Sequence, residues 1–196
     1  MANIQQHLDL NQELRGQRDL FAQQSRVDPL TELANRRHFA DVLDQATLHA
    51  IRSGEPLTLL VLDVDHFKKI NDTHGHAVGD ACLVAIAGRL RSAFNDNRDL
   101  IARLGGEEFG ILLAGQALAT AASRAERFRD DLSRHPIALD DLVLAMTASI
   151  GMAELDRTKH DVDDLYCAAD RAVYRAKGAG RNRVCWDDGT PAAQGR

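Results

Sequence analysis

Leu100-Ile-Ala-Arg-Leu-Gly-Gly-Glu-Glu-Phe-Gly-Ile-Leu-Leu113 is two apolar runs broken by a pair of glycines. Each run has strand length and composition, and Gly105-Gly106 supplies the positive backbone angles that a tight hairpin needs. Residues 100–104 and 107–113 therefore read as two antiparallel strands. Upstream, Pro56 introduces Leu57-Thr-Leu-Leu-Val-Leu-Asp-Val-Asp65, a continuous apolar run typical of a strand buried on both faces. A strand is expected over Leu142–Met152 and a last one over Asn182–Trp186.

Helical periodicity fills the gaps. Residues 36–52 read as a helix; Leu83, Ile86, Leu90 and Phe94 form the apolar face of a second. Leu118, Ala121, Ala125, Phe128 and Leu132 mark a third, with Pro136 just beyond it, and Val162, Leu165, Ala169, Ala172 and Ala176 a fourth. The order β-α-β-β-α-β, with an extra helix in front, predicts an α+β, ferredoxin-like palm: a mainly antiparallel central sheet flanked by helices. In such a sheet the end of the 57–65 strand lies beside the hairpin, which brings Asp63 to Glu107 and Glu108.

Those acids carry the chemistry. Alternation sends Asp63 and Asp65 to one face and Val64 to the other. With Glu107 and Glu108 they offer the hard oxygen donors that Mg²⁺ prefers, phosphate oxygens and water completing the shell. The spacing alone is equally compatible with exposed turn carboxylates. His66, His74 and His76 are irregularly spaced with no cysteine among them, which argues against zinc.

Composition sets the outer limits. The chain has 196 residues, 44% hydrophobic and 27% charged, with a formal net charge of −5. An acidic balance lacks the basic face that a nucleic-acid polymer requires, so no nucleic-acid partner is expected. Cys82, Cys167 and Cys185 form no CxxC pair and point to reduced thiols in the cytoplasm. The amino terminus lacks the regions of a signal peptide, and no apolar run reaches the ~18 residues of a span, so direct membrane insertion is not expected. Residues 1–27 are rich in Gln, Arg and Leu; their half-apolar stripe suits either a solvated helix or the end of a coiled coil arriving from a preceding module. Residues 187–196 read as a disordered tail.

Arg103-Leu-Gly-Gly-Glu-Glu-Phe109 resembles the signature of the GGDEF family, the diguanylate cyclases, in its GGEEF form. Further family motifs follow the same resemblance in order: Asp28-Pro-Leu-Thr-Glu-Leu-Ala-Asn-Arg-Arg37, with Glu32 where glycine is common; Leu62-Asp-Val-Asp-His-Phe-Lys-Lys-Ile-Asn71; and Gly75-His-Ala-Val-Gly-Asp80. Thr147-Ala-Ser-Ile-Gly151, Ala169-Asp-Arg-Ala-Val-Tyr-Arg-Ala-Lys177 and Gly180-Arg-Asn-Arg183 complete the set, and the likeness covers residues 28–186.

The resemblance implies a nucleotidyltransferase that condenses two GTP into cyclic di-GMP and two pyrophosphates. A homodimer would face its active sites, each holding one GTP and two Mg²⁺, with Mn²⁺ able to substitute. By the same resemblance Asp63, the carbonyl of Val64 and Glu107 bind metal, and Glu107 also takes the 3′-hydroxyl proton. Glu108 is the second signature acid, catalytic or supporting. Asn71 and Asp80 read guanine, a carboxylate suiting the N1–H and N2–H donor edge that adenine lacks, and His76 lines the nucleotide site. Lys68 would stabilise transition-state charge, and Lys177 and Arg181 match phosphate ligands. Lys69 reads as a surface lysine and Phe67 as core.

The family's RxxD product-inhibition site is incomplete, with Asp96 in the arginine position, although Asp99 is in place; Arg127 on the third helix reads as a solvated helix arginine in preference to part of a secondary product-binding surface. The resemblance also implies a sensory module ahead of this chain. A non-catalytic effector that binds GTP or cyclic di-GMP, and a cyclase making a mononucleotide product, are the alternatives.

Overall fold

The computed structural model describes residues 26–156, 158 and 162–187. The expectations for the amino-terminal segment to residue 25 and for the tail beyond 187 lie outside the described residues.

The central strand is β2, Leu57–Val64, every residue of which is buried. It pairs antiparallel with β4, Glu108–Ala114, on one side and with β7, Ala148–Glu154, on the other. β3, Asp99–Gly105, pairs antiparallel with β4, and the two-residue β1, Ala34–Asn35, pairs parallel with β3. β8, Arg183–Trp186, closes the far edge parallel to β7, giving the order β1-β3-β4-β2-β7-β8. The inner four strands have the ferredoxin-like arrangement expected from the sequence.

Helices cover both faces. Leu60, Leu62 and Val64 of β2 point to one core with Leu83, Ile86, Leu90, Phe128 and Leu132. These come from α3, His76–Ala93, and α4, Leu118–Arg134. Leu57, Leu59 and Val61 point to the other core with Phe39 and Leu43 of α1, Arg36–Ser53, and Ala169 and Val173 of α5, Val162–Gly178. Two apolar faces explain why β2 shows no polar alternation. Odd-numbered residues of β2 face α5, so Asp63 emerges beneath that helix.

The structure corrects one expected strand and adds a helix that the periodicity did not mark. The run Leu142–Met152 is not one strand: β6, Leu142–Leu144, pairs with β5, Ile137–Leu139, in a separate hairpin, and β7 begins at Ala148. The turn of that hairpin contains Asp140 at φ +48°, and no glycine or proline divides the apolar run behind it. A short helix α2, Phe67–His74, follows β2 immediately, its first turn set by His66 at φ +57°. Gly75, at φ +86°, breaks α2 from α3. Glu32, in the position where the resembling motif carries glycine, has φ +57°; the backbone there takes the left-handed form that glycine adopts without strain.

Candidate active site

The acids gather at one end of the sheet. Asp63 and Glu108 are direct partners in the β2–β4 register. The N–H of Val64 donates to the Glu107 carbonyl at 3.2 Å, so the hairpin turn is tied to the next residue along β2. The turn is Gly106-Glu107, with Gly106 at φ +50°. Arg103 holds it: Nε and Nη2 donate to the Gly106 carbonyl at 3.0 and 2.9 Å, and Nη1 lies 3.4 Å from Asp28 Oδ1. Asp28 in turn caps its own turn through the N–H and hydroxyl of Thr31, at 2.9 and 2.7 Å. Nothing in the sequence patterning pointed to this clamp; an arginine paired with an acid 75 residues away has no local signal.

Asp63 is nearly buried and accepts from Lys177 Nζ at 2.6 Å through Oδ2. Burial raises its pKa above the ordinary 3.8, Lys177 opposes the rise, and Glu107 and Asp65 add to it. Glu108 is likewise raised above 4.5, first by loss of solvent and then by Asp63, with Lys177 pulling the other way. Negative charge is therefore held here against its preference, which suits a cation. Asp63 and Glu107 supply carboxylate oxygens and Val64 a carbonyl, the donor types a magnesium ion takes. Lys177 now provides the compensating charge. Among the described residues no ready-made cluster of three or more side-chain ligands is present, so a metal shell would draw on backbone, water and phosphate as well.

One of the proposed oxygen donors is otherwise engaged. Asp65 spends both oxygens on Thr147, Ser149 and Asn182, which corrects the expectation that it joins the metal donors. The paired hydroxyls of Thr147 and Ser149, alternating in an apolar strand, were the available sequence signal.

A raised carboxyl pKa makes a testable contribution. A folded-state value above the unfolded one adds stability below about pH 4.5, which is lost as pH rises through the folded value. Glutamine mimics the protonated form. Glu108→Gln is thus expected to melt at a higher temperature than the parent near pH 7, without ligand, and to lose that advantage as pH falls toward 4.5. A variant less stable at neutral pH would reject the electrostatic account.

The nucleotide candidates flank the α2–α3 break. Lys68 and Asn71 lie on α2, and His76 and Asp80 on the first turns of α3. Among the described residues Asn71 Oδ1 is buried without a hydrogen-bond partner. It lies against Gly79, where an added Cβ would come within 1.9 Å of it. A buried acceptor with no donor fits a ligand that brings an N–H, as guanine does. Lys68, His76 and Asp80 are exposed, Lys69 is exposed, and Phe67 is 6% exposed and part of the core, as expected. Lys177 ends α5 and reaches Asp63, while Arg181 sits on the exposed corner after the helix.

The Asp96 region forms a separate cleft between α3 and α4, with a volume of 1180 Å³. Its cations are committed: Arg124 Nη2 is 2.6 Å from Asp99 Oδ2, and Arg89 donates to the carbonyls of His135 and Pro136. Arg127 Nε donates to the Ser123 carbonyl on its own helix at 3.3 Å.

Comparison with known proteins places this geometry. A family model described as "Diguanylate cyclase, GGDEF domain" matches residues 25–183. The diguanylate cyclase DgcP of Pseudomonas aeruginosa is 40% identical over 162 residues, covering 83% of this chain and 24% of the relative. The response regulator PleD of Caulobacter vibrioides is 40% identical over 173 residues, covering 87% of this chain and 38% of the relative. The chain thus spans well under half the length of these two curated relatives. The crystal structure of the GGDEF domain of DgcB from Caulobacter crescentus, in complex with c-di-GMP, superposes with a TM-score of 0.80 at 35% identity, covering 84% of this chain and 96% of that one. The active GGEEF domain of a Vibrio cholerae diguanylate cyclase gives 0.74 at 35% identity, covering 79% and 97%.

Proposed function

The chain belongs to the GGDEF family, and from that premise we propose that it is a diguanylate cyclase, condensing two GTP into cyclic di-GMP and two pyrophosphates across a dimer of facing sites. The observation that carries the reading is the β2–β4 register, which sets Asp63 against Glu108 and ties Val64 to Glu107 inside a matched GGEEF motif.

The roles follow from the placement. Asp63, the Val64 carbonyl and Glu107 would hold Mg²⁺, two ions per site, with Mn²⁺ satisfying the same oxygen donors. When bound, the metal supplies positive charge to the triphosphate and draws electron density from the α-phosphorus. Glu107 accepts the 3′-hydroxyl proton, which raises the nucleophilicity of that oxygen. Lys68, Lys177 and Arg181 neutralise phosphate charge, Lys177 exchanging Asp63 for phosphate. Asn71 and Asp80 take the guanine edge, with His76 beside them. Glu108 supports Asp63 from the next strand. With Asp96 in place of the RxxD arginine and Asp99 bound to Arg124, the α3–α4 cleft is not assigned to product inhibition.

Among the described residues no helix is long and apolar enough to cross a membrane. We place the domain in the cytoplasm, where GTP is available, as the output end of a longer signalling protein whose sensory module precedes it.

The test is chromatography of reactions containing GTP and Mg²⁺ at several protein concentrations. Cyclic di-GMP is expected, at a rate per protomer that rises with concentration. Saturable GTP binding with no product at any concentration would overturn the enzyme in favour of the non-catalytic effector. A rate per protomer independent of concentration would overturn assembly during the reaction.

A further inference from the structure

Asp65 stands beside the acid cluster without sharing its environment. It is 5% exposed. Its Oδ1 accepts from Ser149 Oγ at 2.7 Å, and its Oδ2 accepts from Thr147 Oγ1 at 2.7 Å and from the backbone N–H of Asn182 at 3.0 Å. Its own N–H donates to the Thr147 carbonyl at 2.9 Å. The carboxylate is thus bonded on both oxygens, entirely by neutral donors.

The third of those donors lies in an unusual piece of backbone. Arg181 and Asn182 have φ of +63° and +43°, two consecutive residues other than glycine in the left-handed region. Such a pair is disfavoured by the contact between Cβ and the backbone, and only surrounding bonds keep it in place. On the helix side the N–H of Arg181 donates to the Ala176 carbonyl at 2.9 Å. On the outer side Arg129 Nη1 donates to Asn182 Oδ1 at 3.0 Å. The Asp65 carboxylate ties the corner to the sheet, from a residue 117 positions earlier. The Arg181 side chain is exposed and makes no hydrogen bond or ion pair among the described residues.

We infer that Asp65 is a positioning residue: it holds the left-handed corner from which Arg181 reaches the GTP phosphates. The inference rests on the function proposed above. If the corner relaxed to ordinary backbone angles, the direction in which it presents the Arg181 side chain would change. Asp65 does this through acceptor geometry, so its charge is dispensable. An asparagine can keep the arrangement, its amide oxygen accepting from Thr147 and Asn182 while its NH₂ donates to Ser149 Oγ.

The experiment compares Asp65→Ala, Asp65→Asn, Arg181→Ala and the Asp65→Ala/Arg181→Ala double variant. Hydrogen exchange of residues 178–183 is measured without ligand, and affinity is measured for an unreactive α,β-methylene analogue of GTP with Mg²⁺. Asp65→Ala is expected to expose the corner to exchange and to weaken binding about tenfold, the scale of one lost charged hydrogen bond. Asp65→Asn should stay close to the parent in both readouts. The double variant should bind no worse than Arg181→Ala alone, because both act through one guanidinium. Should Asp65→Ala not fold, Thr147→Val replaces it, removing one donor while leaving the charge.

Asp65→Asn as damaging as Asp65→Ala would mean that the charge matters, and multiplicative losses in the double variant would mean a separate role; either overturns the inference. Unchanged exchange at 178–183 in Asp65→Ala overturns the anchoring itself. A parent protein that fails to bind the analogue overturns the functional reading instead, and with it the phosphate role of the corner.

Discussion

Glu107→Gln is expected to cut cyclic di-GMP formation by about 10²–10⁴-fold, the range for removing a positioned general base, toward its upper end because the same carboxylate is a proposed metal donor. The fold should survive. Among the described residues the Glu107 side chain takes no part in a hydrogen bond or ion pair, and its turn is held through backbone carbonyls: its own receives the Val64 N–H, and that of Gly106 receives Arg103. Glutamine keeps the shape and removes a charge that works against both Asp63 and Glu108. The melting temperature without ligand should therefore hold or rise while turnover collapses. Initial rates at saturating GTP, set beside thermal melts, read the two effects separately. Activity within tenfold of the parent would remove Glu107 from the chemistry.

The second large effect falls on folding. Gly151 lies in β7 directly under α5, and a Cβ there would come within 2.2 Å of the Ala169 carbonyl oxygen and 2.3 Å of the Val173 nitrogen. Both are helix backbone, which has no rotamer to escape into. Overpacking costs about 1–3 kcal/mol where side chains can adjust, and more where they cannot. Gly151→Ala is expected to lose about 3 kcal/mol or more, a large share of the ~5–15 kcal/mol that keeps a domain folded. It should also displace Lys177, which the same helix carries to Asp63. Gly88, on the open side of α3, is the control: among the described residues nothing beyond its own helix lies within 4 Å of its added Cβ. Gly88→Ala should gain about 0.5–1 kcal/mol from helix propensity. Denaturant melts of the two variants check both signs. A Gly151→Ala protein as stable as the parent would show that α5 can lift off β7 without cost.

Much of this fold was legible because its signals are local. The β2 run, the Gly105-Gly106 break and the apolar stripes of α3, α4 and α5 each state an element within a few residues. The order of those elements implies the antiparallel register, and hence that Asp63 meets the hairpin acids. What was not legible lacked such punctuation. α2 begins on a histidine at positive φ rather than a glycine. Within 142–152 no glycine, proline or charge stands between residues 144 and 148, where one sheet ends and the other begins. At the site, the residue types were readable but their pairings were not. Asp63 and Asp65 look equivalent in sequence, spaced to share a face, yet one meets Lys177 and the other meets Thr147, Ser149 and Asn182.

The amino-acid sequence by itself determined the palm-like sheet, the family and the set of acids and cations gathered at one end of it, because periodicity, glycine placement and motif order are properties of neighbouring residues. Only the tertiary structure decided how those charges are shared out. It assigned Lys177 to Asp63, Arg103 to the turn that carries Glu107, Arg124 to Asp99, and Asp65 to the strained corner at Arg181. Apart from the local bonds of Arg103 to Gly106, those choices join segments 25 to 117 positions apart, and they depend on distances of about 3 Å that form only when the sheet and its helices have packed.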